Sequence, residues 1–538
     1  EARPAYLMLA QVLVAGGKHP QALERLETLL AKNPKDLPAL LQVAMLRDSL
    51  DQPEQAAEAY RKLLEINPKL HPALNNLAYL YCDRLDRPDE ALELAKQARE
   101  VAPKDPATAD TLGWAAFRTG DYAWAQPLLE EAAQALPDEP EVQYHLGLVR
   151  YMLGQEEAAR AALQRAVAAT RDFRGKKDAE AALAWLNLNP ESLDARAADT
   201  LEKRVREAPA DPVAVRRLAA FHERQGQTDR AVRLYESLLR ANPKVVFALL
   251  RLAELQAGPL NNPVRAIELL RQARTLDPQG ALTAQQAGRV ALRAGDSRWA
   301  YSLLQESLQK QPADPATRLD LAQAAYHVGR LAEAEAALQQ LLATNPPGLS
   351  AATVRAWLEL VRATLRPELA PAALPAARAV LQSDTNALPA LMVTALAAER
   401  EGQVAQARQV YESLQQRHPY FTPALRQLAL LRVRAGESDA AIQTLVSRAR
   451  EAFPQDPEVA AALGIVSGQR GDLARAVQLL NEALKQRPEQ AEWWFHLGMA
   501  HHRLQQPAQA RPALERALQQ PLKAEWVAQA RQALAEMK

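Results

Sequence analysis

The chain has 538 residues, of which 48% are hydrophobic and only 5% aromatic, and its 65 Lys+Arg against 64 Asp+Glu give a net charge of +1. This near-neutral balance argues against nucleic acid or an anionic membrane as the main partner. The single cysteine, Cys82, excludes an internal disulfide framework, and no apolar stretch has the length of a transmembrane helix.

The charge is unevenly distributed along the chain. Residues 1–210 carry 26 Lys+Arg and 33 Asp+Glu, so the remaining 328 residues carry 39 and 31. Such asymmetry can orient a charged partner, but solvated helix faces also drift this far by chance. Both interpretations stay open.

Prolines at a fixed spacing indicate an internal repeat. Within three runs of prolines, neighbours lie 34 or 35 residues apart. The runs are Pro34, Pro68, Pro103 and Pro137; Pro209, Pro243, Pro278, Pro312 and Pro346; and Pro419, Pro454 and Pro488. Each gap between runs has room for two units, which predicts about fifteen units in all.

The unit between Pro106 and Pro137 illustrates the pattern. Residues 107–119 are predicted to form a first helix with Leu112 and Ala116 inward, and 122–135 a second helix that ends before Pro137. Proline cannot continue a helix, so it separates one unit from the next. Two such helices cannot bury their apolar stripes alone, and stacking on neighbouring units completes the core.

Two positions of the repeat carry only small residues, which allow close helix packing. In the first helix they are Ala10, Ala44, Ala78, Gly113, Gly147, Ala219, Ala253, Gly288, Ala322, Ala395, Ala429, Gly464 and Gly498. In the second helix they are Ala22, Ala56, Ala91, Ala125, Ala159, Ala231, Ala266, Ala300, Ala334, Ala407, Ala441, Ala476 and Ala510. With the spacing and the prolines, these residues resemble the tetratricopeptide repeat (TPR) family. The resemblance implies an all-α fold, a right-handed α-solenoid superhelix of about fifteen units and roughly two turns, whose concave groove binds peptides or protein segments.

The repeat is irregular in two places, which predicts a division of the chain into blocks. Regular units 1–5 cover residues 1–171, irregular unit 6 covers 172–209, units 7–10 cover 210–346, irregular unit 11 covers 347–385 and units 12–15 cover 386–521. Residues 522–538 are expected to form a C-terminal capping helix, and the uncapped start suggests further repeats before Glu1. The irregular units are interpreted either as drift in a tolerant repeat or as hinges; Pro367, Pro371 and Pro375 are expected between the helices of unit 11.

No catalytic, cofactor-binding or metal-binding motif is present. Gly464, Gly468 and Gly471 lack the spacing of a dinucleotide loop, and Cys82 on a packed helix is expected to be an inert thiol. The histidines near residue 500 do not have the i,i+4 spacing that suits zinc on a helix. We therefore expect no enzyme activity, no cofactor and no metal.

Candidate binding residues follow from the resemblance, which implies that residues two before the first small position face the groove. Those selected, with the neighbouring Arg216, are Asn76, Thr111, His145, Arg216, Arg217, Arg251, Gln286 and Asp320. The three arginines are interpreted either as holders of a carboxylate or acidic segment, or as a solvated basic stripe.

The stretches around Asn75-Asn76, Thr111 and His145 also resemble long bacterial TPR proteins, including those of PEP-CTERM/exosortase and exopolysaccharide systems. That resemblance implies a scaffold in the bacterial periplasm or envelope; a cytoplasmic location is the alternative. The partners implied are protein or peptide segments and not nucleic acid, with membrane association only through parts outside this sequence. Two further functions stay open: the recruiting or regulatory region of a larger enzyme, and a self-assembling structural repeat.

Overall fold

The structure, a computed structural model, describes residues 2–312 and 314–537, which form 31 α-helices and contain no β-strand. From α1 to α30, odd-numbered helices are the first helices of successive pairs and even-numbered helices the second. Within the chain two compact units are distinguished, unit 1 up to Leu255 and unit 2 from Gln256. In each unit, helices pack on their neighbours along the chain, and the predicted all-α solenoid of helix-turn-helix repeats is confirmed.

The helices up to the boundary are α1 (Ala2–Ala15), α2 (His19–Lys32), α3 (Leu37–Ser49), α4 (Pro53–Ile66), α5 (His71–Asp83), α6 (Pro88–Val101), α7 (Pro106–Arg118), α8 (Tyr122–Ala135), α9 (Pro140–Met152), α10 (Glu156–Ala168), α11 (Lys176–Leu186), α12 (Ala195–Glu207), α13 (Pro212–Arg224), α14 (Thr228–Ala241) and α15 (Val246–Ala257).

The helices that follow are α16 (Pro263–Leu276), α17 (Ala281–Arg293), α18 (Ser297–Lys310), α19 (Pro315–His327), α20 (Leu331–Thr344), α21 (Ala351–Leu365), α22 (Ala370–Ser383), α23 (Leu388–Arg400), α24 (Val404–Arg417), α25 (Thr422–Arg434), α26 (Ala440–Ala452), α27 (Pro457–Gln469), α28 (Leu473–Gln486), α29 (Ala491–Arg503), α30 (Pro507–Leu518) and α31 (Ala524–Glu536).

Local sequence explains where the helices of a pair begin. Several first helices start with an aspartate followed by proline; Asp105, for example, accepts a hydrogen bond from the Ala107 amide ahead of α7. Proline has no amide hydrogen, so it leaves no unpaired donor in the first turn of the helix. Between the helices, Gly120 has a φ of 84°, which favours glycine, and the next residue, Asp121, caps α8.

The small residues are positions of close helix contact. A methyl group added at Gly113 would lie 2.7 Å from Leu129 Cγ, and one added at Gly147 would lie 2.6 Å from Leu163 Cγ. Second-helix alanines such as Ala125 are completely buried. The repeat therefore uses small side chains to bring the helices of a pair together, as close packing requires.

One predicted second-helix alanine departs from this register. Ala441 is exposed, and its neighbour Ile442 is completely buried in its place. The capping residue Asp439 of α26 lies three residues after Gly436, whereas Asp121 directly follows Gly120, so α26 begins later relative to its glycine. The expectation of a small contact residue at Ala441 is therefore wrong.

The two irregular pairs share one construction. Each contains a short 3₁₀ turn between its helices, Pro190–Ser192 between α11 and α12 and Pro367–Leu369 between α21 and α22. The expectation that three prolines lie between α21 and α22 is wrong for two of them, because Pro371 and Pro375 are inside α22. Pro371 is in the first turn, where no amide hydrogen is needed, and Pro375 is tolerated within the helix, as Pro127 is in α8.

Regular helices on either side of each irregular pair contact one another directly. In unit 1, Tyr151 of α9 donates its hydroxyl hydrogen bond to Asp211 at the start of α13, at 2.9 Å. In unit 2, Tyr326 of α19 stacks on Phe421 at the start of α25, with ring centroids 6.2 Å apart. We call the side of a first helix that is turned toward other first helices its inner face. Near both irregular pairs, first helices that are distant in sequence thus cover parts of one another's inner faces.

The last helix, α31, packs on the last pair. Trp526 stacks on Phe495 of α29 with ring centroids 5.5 Å apart, and Ala530 and Ala533 are buried. This helix covers apolar surface of α29 and α30, as the terminal helices of repeat proteins commonly do for the last repeat.

Candidate functional site

His145, predicted to face the groove, forms a buried pair with Asp110. Its Nδ1 lies 3.0 and 3.1 Å from the two carboxylate oxygens of Asp110, and its ring stacks on Trp114 at a centroid distance of 4.1 Å. Burial disfavours the imidazolium, but the Asp110 carboxylate outweighs it and raises the pKa of His145. With 1% of its surface exposed, His145 stabilises the packing of α7 and α9 and is not accessible to solvent.

Two other predicted residues of unit 1 are also engaged within the chain. Thr111 is buried with 3% exposure, and half-buried Asn76 donates from Nδ2 to the Tyr60 hydroxyl at 3.3 Å. Both lie on first helices, as predicted. Neither presents a free side chain on an open face.

The inner sides of α5, α7 and α9 combine aromatic and acidic side chains; we call this the α5–α7–α9 surface. Its members are Asn75, Tyr79, Asp83, Asp110, Trp114, Glu141, Tyr144 and His145. Tyr79 on α5 donates to Glu141 Oε1 on α9 at 3.1 Å, so side chains two pairs apart meet there. Burial raises the pKa of Glu141.

The residues before α11 fold back onto this surface. The Phe173 ring lies 5.8 Å from that of Tyr144, and Arg174 Nε lies 3.1 Å from Asp83 Oδ2. A methyl group added at Gly175 would lie 2.5 Å from the Tyr144 ring, which shows how closely the backbone approaches. Residues 171–177 carry four basic side chains and one acidic one at the start of irregular unit 6, and their match to the acidic charge of residues 1–210 is the signal in the sequence that could have indicated this contact.

The predicted arginines are held by intramolecular ion pairs. Arg217 donates through Nη1 and Nη2 to the two carboxylate oxygens of Glu156, at 2.8 and 2.6 Å, and through Nε to the Leu188 carbonyl at 2.8 Å. Its side chain is only 4% exposed. Arg217 is therefore neither a solvated stripe residue nor a free donor for a partner.

The other two arginines are more accessible. Arg216 is exposed, lies 3.2 Å from Glu156 Oε1 and has its guanidinium 5.0 Å from the centre of the Phe247 ring. Arg251 is half-buried and pairs with Glu223 and Glu254, which raise its pKa against the opposing effect of burial. Arg216 and Arg217 thus share Glu156, whereas Arg251 pairs with other carboxylates, so the structure does not join the three arginines into one site.

In unit 2, Gln286 is exposed on α17 and Asp320 is partly buried on α19. Burial raises the pKa of Asp320 to about 6, although Arg289 Nε lies 3.2 Å from its Oδ2. Of the predicted residues in this unit, Gln286 is the one whose side chain is open to solvent.

Unit 2 also contains a cavity of about 570 Å³ that the sequence did not predict. Its walls come from five successive first helices, α19, α21, α23, α25 and α27, with the residues at their ends. Arg426 Nε lies 2.6 Å from Asp456 Oδ2, and Arg434 Nη1 lies 3.0 Å from Glu399 Oε1, so ion pairs line it. Gln427, Arg400 and Pro367 complete a lining of mixed charge and apolar surface.

The single cysteine and the arrangement of metal-ligating residues bear on whether the described part of the chain could support catalysis. Burial raises the pKa of the Cys82 thiol to about 12, which suppresses the nucleophilic thiolate. Across residues 2–312 and 314–537, no three His, Cys, Asp or Glu side chains converge as a metal ion would need. Nor does any helix in these ranges combine the length and apolar character needed to cross a membrane.

Comparison with known proteins gives consistent matches to one kind of repeat. Tetratricopeptide repeat models match residues 7–71, 111–172 and 461–524; residues 291–358 and 398–465; residues 212–255; and residues 59–93. Together these segments cover most of the chain.

Curated relatives include two proteins named for cellulose synthase operons. Cellulose synthase 2 operon protein C of Komagataeibacter xylinus is 34% identical over 142 residues, 26% of this chain and 11% of that protein. Cellulose synthase operon protein C of Pseudomonas fluorescens is 28% identical over 253 residues, 44% of this chain and 20% of that protein. The chain thus spans a fifth or less of the length of these relatives.

Among solved structures, a thermophilic TPR protein of Thermus thermophilus is 26% identical, and the match covers 34% of this chain and 98% of that one with a TM-score of 0.29.

Proposed function

Because the chain belongs to the tetratricopeptide repeat family, we propose that it is a non-catalytic scaffold that binds segments of partner proteins along its first helices. The observation that carries this proposal is the cavity of about 570 Å³ in unit 2, lined by residues from five successive first helices. A cleft that draws on several repeats can hold an extended segment, and its polar groups set the orientation of that segment.

The chemistry of the cavity favours a polypeptide over a small metabolite. Its lining combines arginines that pair with carboxylates, as Arg426 does with Asp456 and Glu458, with accessible apolar surface at Leu331 and Pro367. Such alternation suits a chain that presents charged and apolar side chains in turn.

We further propose that the assembly served is an exopolysaccharide system of the bacterial envelope. The support is the match to two proteins named for cellulose synthase operons, which covers only part of each relative. The location can be tested by attaching an epitope to the protein in a bacterium that naturally produces it and by following the epitope through cell fractionation. Recovery with the cytoplasmic fraction alone would contradict this part of the proposal.

Site-specific photocrosslinking tests the scaffold itself. A photoreactive amino acid at Gln427, which lines the cavity, should crosslink a defined protein in the producing cell, while the same group at Arg448, exposed on the second helix α26, should not. Arg400→Glu, a charge reversal at an exposed residue of the lining, should reduce the Gln427 crosslink at least several-fold. Equal crosslinking from both positions, or none from Gln427, would contradict binding along the first helices.

A further inference from the structure

The α5–α7–α9 surface is covered in part by this chain's own residues 171–175, the strap. Phe173 packs on Tyr144, and Arg174 Nε lies 3.1 Å from Asp83 Oδ2, across 91 residues of sequence. Arg171 Nη1 adds an ion pair with Glu139 Oε2 at 3.2 Å. An aromatic and a basic residue in succession thus occupy an acidic and aromatic surface.

The strap satisfies this surface incompletely. Asp83 Oδ2 is buried and ion-paired with Arg174 Nε at 3.1 Å without a well-aligned hydrogen bond, and the buried Asn75 Oδ1 has no hydrogen-bond partner among the described residues. Trp114, 3% exposed, has an Nε1 that is buried and also lacks a described partner. Buried polar atoms are nearly always hydrogen-bonded in native proteins, so the two unpaired atoms and the imperfectly aligned Arg174–Asp83 pair point to a ligand that fits this surface better than the strap does.

The chemistry of the three atoms identifies that ligand. Asp83 Oδ2 accepts hydrogen bonds, and a guanidinium with its five N–H donors suits it, whereas Asn75 Oδ1, two helical turns earlier on α5, accepts from a separate donor of the same segment. The Trp114 indole donates, and a main-chain carbonyl of an extended segment can accept from it. Tyr144 supplies an apolar ring for an aromatic side chain, as its contact with Phe173 at a centroid distance of 5.8 Å shows.

Charge supports the same partner. Asp48 on α3, Asp83 on α5 and Glu141 on α9 are acidic residues at or near this surface, and residues 1–210 carry seven more acidic than basic side chains. Burial raises the pKa of Asp48, against the opposing effects of Arg84, its ion-pair partner at 3.0 Å, and of Arg174. An arginine next to an aromatic residue is therefore complementary in both charge and shape.

We propose that the α5–α7–α9 surface binds a partner segment in which an arginine adjoins an aromatic residue, and that Phe173-Arg174 occupies this surface until the partner displaces it. The inference rests on the proposed scaffold function and names the partner chemistry for one of its surfaces. The tethered strap competes with any free segment at an effective concentration in the millimolar range. Removal of the strap contacts should therefore expose a tighter site.

The test uses the full chain and a fluorescent synthetic peptide with the sequence of residues 170–177. Phe173→Ser/Arg174→Ser should bind this peptide at least about ten-fold more tightly than the wild type, because the tethered competitor is lost. Adding Asp83→Asn to that variant should remove the gain. The matched control Glu236→Gln, the same loss of charge at an exposed residue of the second helix α14, should leave it unchanged. A peptide with glutamate in place of Arg174 should bind at least about ten-fold more weakly.

A second measurement on the wild type covers the case in which the strap variant misfolds. Excess peptide should accelerate amide hydrogen exchange in residues 171–175 while exchange in α17 stays the same. Equal peptide affinity in wild type and strap variant, affinity indifferent to Asp83→Asn, or unchanged exchange in the strap would overturn the proposal. So would a concentration-dependent dimer of the wild type that the peptide dissociates, since a second copy would then be the occupant. The crosslink at Gln427 in unit 2 is independent of this surface, so its persistence would separate failure of this inference from failure of the scaffold function.

Discussion

Glu156, at the start of α10, holds the guanidinium of Arg217 in α13 through two parallel hydrogen bonds of 2.8 and 2.6 Å, although 61 residues separate them. Both side chains are largely buried, with 12% and 4% exposure. The pair bridges the irregular helices α11 and α12, and Arg217 additionally donates to the carbonyls of Leu186 and Leu188. It therefore links the regular helices on the two sides of the first irregular pair.

Glu156→Ala should destabilise unit 1 by about 3–5 kcal/mol, because it leaves a buried guanidinium without its counterion. Glu156→Leu combined with Arg217→Met should cost less than either single change. Denaturant unfolding followed by circular dichroism measures these effects. The control Arg216→Ala removes the exposed partner of the same carboxylate and should cost at most about 1 kcal/mol. If Glu156→Ala cost no more than this control, the pair would be a surface contact only.

Gly147→Ala should destabilise by about 1–3 kcal/mol, since the new methyl group would lie 2.6 Å from Leu163 Cγ and Cδ2. The loss should be less than additive with Leu163→Ala, which opens room for the methyl group. Gly468→Ala is the matched control: a methyl group there would be 3.3 Å from its nearest neighbour, Ala476 Cβ. Thermal and denaturant unfolding of the three variants and the double mutant decide the outcome. An unchanged Gly147→Ala protein would mean that the assigned helix register is wrong.

His327 should make unit 2 less stable as the pH falls. Burial lowers the pKa of His327 to about 3, whereas an unfolded histidine has a pKa of about 6.5, so the unfolded chain binds the proton first. The contribution to stability is complete above the unfolded pKa and is lost as the pH decreases from 6.5 toward 3. Between pH 7 and pH 5 the loss should be about 2 kcal/mol.

The variant His327→Gln isolates this effect. It keeps a polar partner for Ser297, whose Oγ lies 3.3 Å from His327 Nδ1, but cannot take up a proton. The difference in unfolding free energy between wild type and variant should therefore change with pH between 7 and 5. A pH-independent difference for His327→Gln would contradict the lowered pKa.

Trypsin should cut first within residues 171–177, where Arg171, Arg174 and Lys177 are exposed. The second irregular pair should resist longer, because Arg366 is followed by Pro367 and the only other basic residue between α21 and α23, Arg378, is inside α22. Asp83→Asn, which removes the charge that pairs with Arg174, should accelerate the first cut. Mass spectrometry of timed digests identifies the sites; first cuts within α5–α8 would contradict this order of cleavage.

The helix pairs could be predicted from the sequence because their signals are local. In the unit between Pro106 and Pro137, an aspartate cap, a glycine with positive φ and a terminal proline lie within one repeat, and the observed helices α7 and α8 begin and end within one residue of the prediction. Gly113 and Ala125 were recognised as contact positions because only small side chains occur there. Such information needs no knowledge of distant residues.

Which inner-face residues remain free was decided by the tertiary structure alone. His145 and Arg217 occupy the predicted row, yet one is paired with Asp110 and the other with Glu156, on helices that the sequence places one and two pairs away. The cavity in unit 2 and the contact of Phe173 with Tyr144 likewise depend on how successive helix interfaces tilt around an irregular pair. Small rotations at each interface accumulate along a solenoid, so long-range contacts follow from the sum of many packing angles and not from any single repeat.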